Sequence, residues 1–378
     1  MITTVSSALK NFVLGTAEYL YKELGWEITL ICDTDEEFSN TLPDYLKYIP
    51  VPMSRGVNFK DLKSIKKLKK IFYEEKFDIV QYSTPNAAFY ASIAARFSKI
   101  PIRLYGQWGI RYVGFKGIKR HVFKFLEKIA CQNSTHIFAV SKLNMQFAVS
   151  EKLYRKEKVQ IVGNGGTMGV DLDKYLLDNK FLFRDKIREK YGILKTDFVY
   201  GFAGRISSDK GCKELFTAFR NISQIHTDVK LLIVGPIENE DNIDIEILSW
   251  IKNSKKVFFT GRVNNENMRE YYSAMDVLVH PTYREGFGMV IQEAGALAVP
   301  VITTKIPGAS EVMEENISCI LVKPKEVYEL ENAMLKIKNN PEFLKKLGEE
   351  AYKRTVALYD RKIMLENQKN AYKKILGD

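Results

Sequence analysis

Cysteine is scarce in this sequence: Cys32, Cys131, Cys212 and Cys319 lie far apart along 378 residues and form no CxxC pair. That spacing excludes a disulfide framework and the common zinc patterns, and predicts a chain kept in a reducing cytosol. No apolar run reaches the ~18–20 residues that a membrane-spanning helix needs. The N-terminus shows none of the charged start, apolar core and small-residue cleavage site of a secretory signal. Histidine is also rare, four in all with no ligand spacing. Internal repeats and low-complexity tracts are missing, which excludes solenoid architectures. What is present is an ordinary globular composition, 46% hydrophobic and 27% charged. The chain is also longer than one compact core usually holds, so two domains are expected.

Charge is unevenly placed. Residues 1–165 carry 25 Lys and Arg against 15 Asp and Glu, whereas the remainder carries 32 against 31. Nearly all of the +11 net charge therefore sits in the front half. Such asymmetry points to a polyanionic partner, with plain solubility as the competing reading. The surplus gathers in two stretches of helical spacing. In Lys60–Lys76 the apolar set is Leu62, Ile65, Leu68, Ile71 and Phe72; in Lys116–Lys128 it is Ile118, Val122, Phe123, Leu126 and Ile129. Each reads either as a domain helix with a lysine-rich outer face or as a helix adhering to an anionic membrane leaflet. The second reading is worth ~1 kcal/mol per basic residue near the surface. Because the lysines line helices with apolar inner faces instead of alternating with exposed aromatics, no nucleic-acid partner is expected.

Short apolar strands alternate with amphipathic stretches, the pattern of doubly wound α/β folds with parallel sheets. In the front half the strand candidates are Ile2–Val5, Glu27–Cys32, Tyr48–Val51, Asp78–Tyr82, Ile102–Tyr105, His136–Val140 and Val159–Val162. The pattern breaks at Gly163-Asn-Gly-Gly166, where glycines supply hinge freedom. A second series follows at Phe198–Ala203, Lys230–Val234, Val257–Thr260, Val277–His280, Val301–Thr303 and Cys319–Val322. This predicts an N-terminal Rossmann-like domain over 1–165, a second over 166–358, and a tail helix over 359–378 returning to the first. Two such domains facing a central cleft would take ligands at the carboxyl ends of their strands.

Two segments carry chemistry. In Asp276-Val-Leu-Val-His-Pro-Thr-Tyr-Arg-Glu285-Gly-Phe-Gly288 a buried strand ends and glycines allow a tight turn. A helix then begins near Met289, with unpaired N–H groups suited to phosphate or sugar oxygens. Glu285 on the turn and Glu293 one turn into the helix can face one pocket and bind vicinal hydroxyls; each also reads as an ordinary solvated or helix-start carboxylate. In Phe202-Ala-Gly-Arg205-Ile-Ser-Ser-Asp-Lys210-Gly211 a second strand and glycine turn presents Arg205 and Lys210. Both cations suit a diphosphate whose negative charge grows as a glycosidic bond breaks, an effect that needs no metal.

Together these segments resemble the C-terminal domain of retaining glycosyltransferases of family 4, of GT-B architecture. The matching features are Gly-Arg-x-Ser-x-Asp-Lys-Gly at 204–211, Glu-x7-Glu at 285–293, Pro300-Val-Ile-Thr and Pro307-Gly-Ala-Ser-Glu311. Arg111-Tyr-Val-Gly-Phe-Lys-Gly-Ile-Lys-Arg120, Ala139-Val-Ser141 and Gly163-Asn-Gly-Gly-Thr-Met-Gly-Val-Asp171 are similar to capsule and O-antigen members. The resemblance implies that Arg205 and Lys210 hold the diphosphate, Glu293 the ribose, and Glu285 the donor sugar, beside Gly286 and the N–H groups of Phe287 and Gly288. Arg262 and Val263 would border the base. It further implies transfer of a hexose or N-acetylhexosamine from a UDP-sugar to a glycan or polyprenyl-linked acceptor, with retention, no dedicated nucleophile and no cofactor or metal. The enzyme would be cytoplasmic and peripheral on the inner membrane face.

The sequence departs from that pattern twice. Tyr105-Gly-Gln-Trp108-Gly109 places Trp108 where relatives often carry a histidine near the donor sugar, and Ser6-Ser7-Ala8 replaces a glycine pair, leaving Ser6 to supply donors. Asp33-Thr-Asp35 resembles an Asp-x-Asp metal site but reads equally well as a solvated loop. His280, at a strand end near Glu285, reads mainly as core or supporting packing, with reach into the pocket as the lesser alternative. The competing enzyme readings are a GT-B-fold nucleotide-sugar epimerase or a phosphorylase, for which no water-activating set or cofactor lysine is recognisable. Oligomeric state is not legible.

Overall fold

The computed structural model describes residues 1–53, 62–238 and 243–377. The chain divides into two compact units. One comprises Met1–Met168 with Lys362–Asp378, the other Gly169–Arg361.

Among the described residues the first unit is built on six strands: β1 (Ile28–Cys32), β2 (Leu46–Pro50), β3 (Ile79–Ser83), β4 (Ile102–Gln107), β5 (His136–Ala139) and β6 (Val159–Ile161). Strands β3-β4-β5-β6 form one parallel sheet, and β1 and β2 pair beside it. The expected first strand, Ile2–Val5, is shorter than its apolar pattern suggests. Only Ile2 pairs, bridging Ile31 on one side and Tyr82 on the other. Its N–H reaches the Gln81 carbonyl at 2.8 Å and its carbonyl accepts from Ser83 at 2.9 Å. One residue thus stitches β1 to β3.

The tail closes this unit. The expected tail helix from Tyr359 is the helix Arg361–Leu376, set off at Asp360 from the preceding helix Pro341–Tyr359. From the second helix Gln368 binds Thr16 (2.6 Å) and the Thr167 carbonyl, Glu366 accepts from Tyr19 (2.6 Å), and Tyr372 meets Gln81.

The basic stretches are helices Leu62–Glu75 and Gly117–Asn133; Lys60 lies outside the described residues. In the second helix the expected inner face needs correction. Phe123, Glu127, Ala130 and Cys131 are buried, whereas Ile118 is 84% exposed and Val122 and Phe125 are also exposed. Residues 118, 122 and 125 follow i, i+4, i+7 spacing and share one outward face. The inward face is set instead by Phe123 and Glu127; buried Glu127 accepts from Gln107 (2.7 Å) and Tyr105 (3.0 Å), a polar anchor that apolar periodicity does not reveal. Among the described residues no helix is long and apolar enough to cross a membrane.

The second unit holds β7 (Phe198–Ala203), β8 (Val229–Val234), β9 (Val257–Phe259), β10 (Val277–His280), β11 (Val301–Thr304) and β12 (Cys319–Val322). All are parallel, in the order β12-β11-β10-β7-β8-β9. These are near-continuous apolar runs because helices cover both faces. Leu231, Leu232 and Ile233 are wholly buried, each contributing about 1.5–3 kcal/mol of transfer free energy. A largely buried charge network ties the amino ends of the central strands β7 and β10: Asp276 accepts from Arg184 and Arg188, each at 2.8 Å, and from the Val199 N–H at 2.7 Å.

Candidate active site

In the second unit the chain winds outward in one direction from β7 and in the other from β10. Neighbouring strands β7 and β10 therefore send their connections apart, leaving a crevice beyond their carboxyl ends. The residues before helix Cys212–Ile225 and those before helix Met289–Ala296 meet there. They meet backbone to backbone. Gly211 has φ +69°, and a Cβ there would be driven into the Pro281 carbonyl. Asp209 fastens the same junction: its carbonyl accepts from Tyr283 N–H (2.8 Å) and Thr282 Oγ1 (3.2 Å). Its carboxylate takes Ser207 (2.6 Å) and Arg284 (3.2 Å). On the other flank Gly308 has φ +85°, and a Cβ would strike the carbonyls of Glu285 and Gly286.

This framing holds Glu285 beside Lys210. Lys210 Nζ donates to Glu285 Oε2 at 2.7 Å, and His280 Nε2 lies 3.0 Å from the same oxygen. The other carboxylate oxygen takes the Gly286 N–H at 3.2 Å. Burial opposes the charge on Glu285, but Lys210 and then His280 more than reverse it, so the carboxyl lies well below the usual carboxylate range. Burial likewise holds His280 below its ordinary value.

Glu293 sits differently. It projects from helix Met289–Ala296 and accepts from Tyr272 Oη at 2.7 Å, with Tyr175 alongside. Burial dominates, and the carboxyl is pushed up to about 7. Gly288, at φ +55°, caps this helix, and Phe287 is buried against the Tyr359 ring, 5.6 Å away.

The remaining expected residues are more dispersed. Arg205 pairs with Glu238, and both are about half exposed. Arg262 is exposed and Val263 half-buried, following β9 and Gly261. In the first unit Ser6 donates to Asp35, which also caps helix Glu36–Asn40 through the Phe38 N–H. Asp33 takes the Met53 and Thr34 N–H groups, so the Asp-x-Asp stretch serves backbone. Trp108 packs on Phe12 at 5.3 Å and lines a cavity of about 40 Å³ with Thr16, Gln81, Gln368 and Tyr372. Periodicity and motif reading missed Asp209 as a clamp and favoured packing for His280, whose lesser reading, reach toward Glu285, is the one the 3.0 Å contact matches. Asp209's place inside the Ser-x-Asp-Lys stretch was the available signal.

Two Rossmann-like parallel-sheet units, one with a cation–carboxylate pair at its switch point, define a GT-B glycosyltransferase fold. Residues 2–141 match the model described as glycosyl transferase 4-like, and residues 183–354 that of glycosyl transferases group 1. The capsular polysaccharide biosynthesis glycosyltransferase CapM of Staphylococcus aureus is 31% identical over 379 residues, covering 100% of this chain and 97% of CapM. The chain belongs to this glycosyltransferase family. A UDP-Gal:alpha-D-GlcNAc-diphosphoundecaprenol alpha-1,3-galactosyltransferase of Escherichia coli is 25% identical, covering 82% of this chain and 80% of its own. Among solved structures, HepE of Anabaena in complex with UDP superimposes with a TM-score of 0.79 at 18% identity, covering 99% and 98% of the two chains. Sucrose-phosphate synthase of Thermosynechococcus elongatus gives 0.79 at 18% identity, covering 100% and 98%.

Proposed function

We propose that this glycosyltransferase moves a hexose or N-acetylhexosamine from a UDP-sugar to a glycan or polyprenyl-linked acceptor in cell-surface polysaccharide assembly, with retention and without a metal. The observation that carries the reading is the Lys210–Glu285 pair at the switch point. Lys210 has three donors, one of which goes to Glu285, so the ammonium can bridge that carboxylate and a diphosphate oxygen. As the anomeric C–O bond breaks, the diphosphate gains charge, and Lys210 with Arg205 offsets it. The acceptor hydroxyl attacks from the same face and its proton passes to the departing phosphate. Glu293 takes the ribose hydroxyls, Glu285 the donor sugar with Gly286, Phe287 and Gly288, and Arg262 and Val263 border the base. CapM and the E. coli galactosyltransferase support the pathway and the lipid-linked acceptor by their names.

The first unit supplies the acceptor side and a membrane contact. Exposed Ile118, Val122 and Phe125, with exposed Lys116, Lys119 and Lys128 nearby, suit an anionic lipid surface. Co-sedimentation with anionic vesicles at low salt checks this; an Ile118→Asp/Phe125→Asp pair that binds as well as wild type would discard it. Calorimetry against UDP-glucose, UDP-galactose and UDP-N-acetylglucosamine tests the donor site. NMR of the product's anomeric proton tests retention, and turnover in excess chelator tests metal independence. An inverted product or loss of turnover on chelation rejects the corresponding part.

A further inference from the structure

His280 ends β10, is 1% exposed, and lies against the Glu285 oxygen that also receives Lys210. We propose that His280 is a positioning residue: as a neutral imidazole it donates Nε2–H to Glu285 and keeps that carboxylate aimed when the donor's diphosphate draws on Lys210. The inference rests on the donor-site reading above and adds a residue and a protonation state to it.

Three observations support this role. First, one carboxylate oxygen holds two donors of different kinds, a mobile ammonium on a flexible stem and a ring fixed at the end of a strand. Engaging a diphosphate shares the ammonium between two anions, whereas the ring stays on Glu285. Second, the ring is held in place. Phe202 stacks on it at 6.3 Å and 27°, and the His280 carbonyl accepts from Thr303 at 2.9 Å. Third, His280 Nδ1 is buried with no hydrogen-bond partner among the described residues. A doubly protonated ring would leave a buried N–H unpaired there, which is costly, while a neutral ring with its proton on Nε2 leaves only a bare acceptor. The charged groups bearing on the ring are Lys210, from the turn before helix Cys212–Ile225, and Glu285 on its own loop; burial, with Lys210, outweighs the pull of Glu285 toward the charged ring and holds it below its ordinary value.

If a neutral donor suffices, glutamine can replace His280, since its amide N–H reaches about as far as Nε2. The test compares His280→Gln and His280→Leu with Glu285→Gln, using steady-state transfer from the UDP-sugar that binds. The Leu variant is expected to lose about 10- to 100-fold in kcat, the worth of one hydrogen bond to a charged group, with little change in donor KM. The Gln variant should recover most of that loss and keep the wild-type kcat profile between about pH 6 and pH 8. Melting curves establish that each variant is folded. With four histidines in the chain, histidine-labelled NMR of wild type reads the tautomer directly, whatever the variants do. A protonated His280 in the donor complex, a Gln variant as poor as Leu, or a Leu variant with normal kcat overturns the proposal. If Glu285→Gln itself keeps normal turnover, the donor-site reading fails, and the inference falls with it.

Discussion

Glu285 and Glu293 stand at the two ends of one short segment, in the same unit, and face opposite electrostatic fates. Glu285 meets an ammonium and an imidazole and stays ionised well below neutral pH. Glu293 meets phenols, and burial lifts its carboxyl to about 7. Depth alone does not separate them; the charge of the partner does. One end of the segment is a fixed negative charge and the other titrates near neutrality, which fits the proposed assignment of the donor sugar to Glu285 and of the ribose to Glu293.

The contrast breaks most visibly at its cation. Lys210→Ala should lower kcat by about 10²–10³-fold, in line with losing one preorganised electrostatic contact. It should also raise the Glu285 carboxyl, readable by its NMR titration. Near-normal turnover would mean that the pair has no catalytic part. Next in size is Gly308→Ala, which pushes a methyl into the Glu285 and Gly286 carbonyls at a positive φ. Urea unfolding should show a loss of about 1–3 kcal/mol. At the other end of the segment, a protonated Glu293 accepts fewer hydroxyls than the carboxylate. UDP-sugar affinity should therefore fall as pH drops below about 7, by about tenfold per unit if the carboxylate is required. Glu293→Gln should flatten that dependence. The smallest effect is expected at Arg205, whose exposed pair with Glu238 contributes under ~1 kcal/mol. Arg205→Ala should leave the melting temperature nearly unchanged and lower kcat several-fold, less than Lys210→Ala does, because the charge it offsets grows only as the glycosidic bond breaks.

The strands of the second unit were legible because burial on both faces writes a continuous apolar run, and Phe198–Ala203, Val277–His280 and Cys319–Val322 fall where that pattern places them. The first strand was not, because an apolar pattern shows what is buried but not how many residues pair; Ile2 alone does so. The two faces of helix Gly117–Asn133 were misjudged for the converse reason, since its inner contacts include the polar Glu127. At the site, residue types announced cations and carboxylates, yet which cation would meet which carboxylate depended on loop geometry. Lys210 is carried to Glu285 by the close approach of Gly211 to Pro281, whereas Arg205, five residues earlier, turns to Glu238.

The first unit is interrupted: its sheet comes from Met1–Met168, but Lys362–Asp378 completes its packing through Gln368, Glu366 and Tyr372. During synthesis the intervening Gly169–Arg361 must be made before that closure, roughly 10–40 s at translation rates of ~5–20 residues per second. The second unit, continuous in sequence, can fold as it emerges. The earlier-made unit is therefore the later one to be finished, and it spends that interval with the Thr16–Gln81 side uncovered.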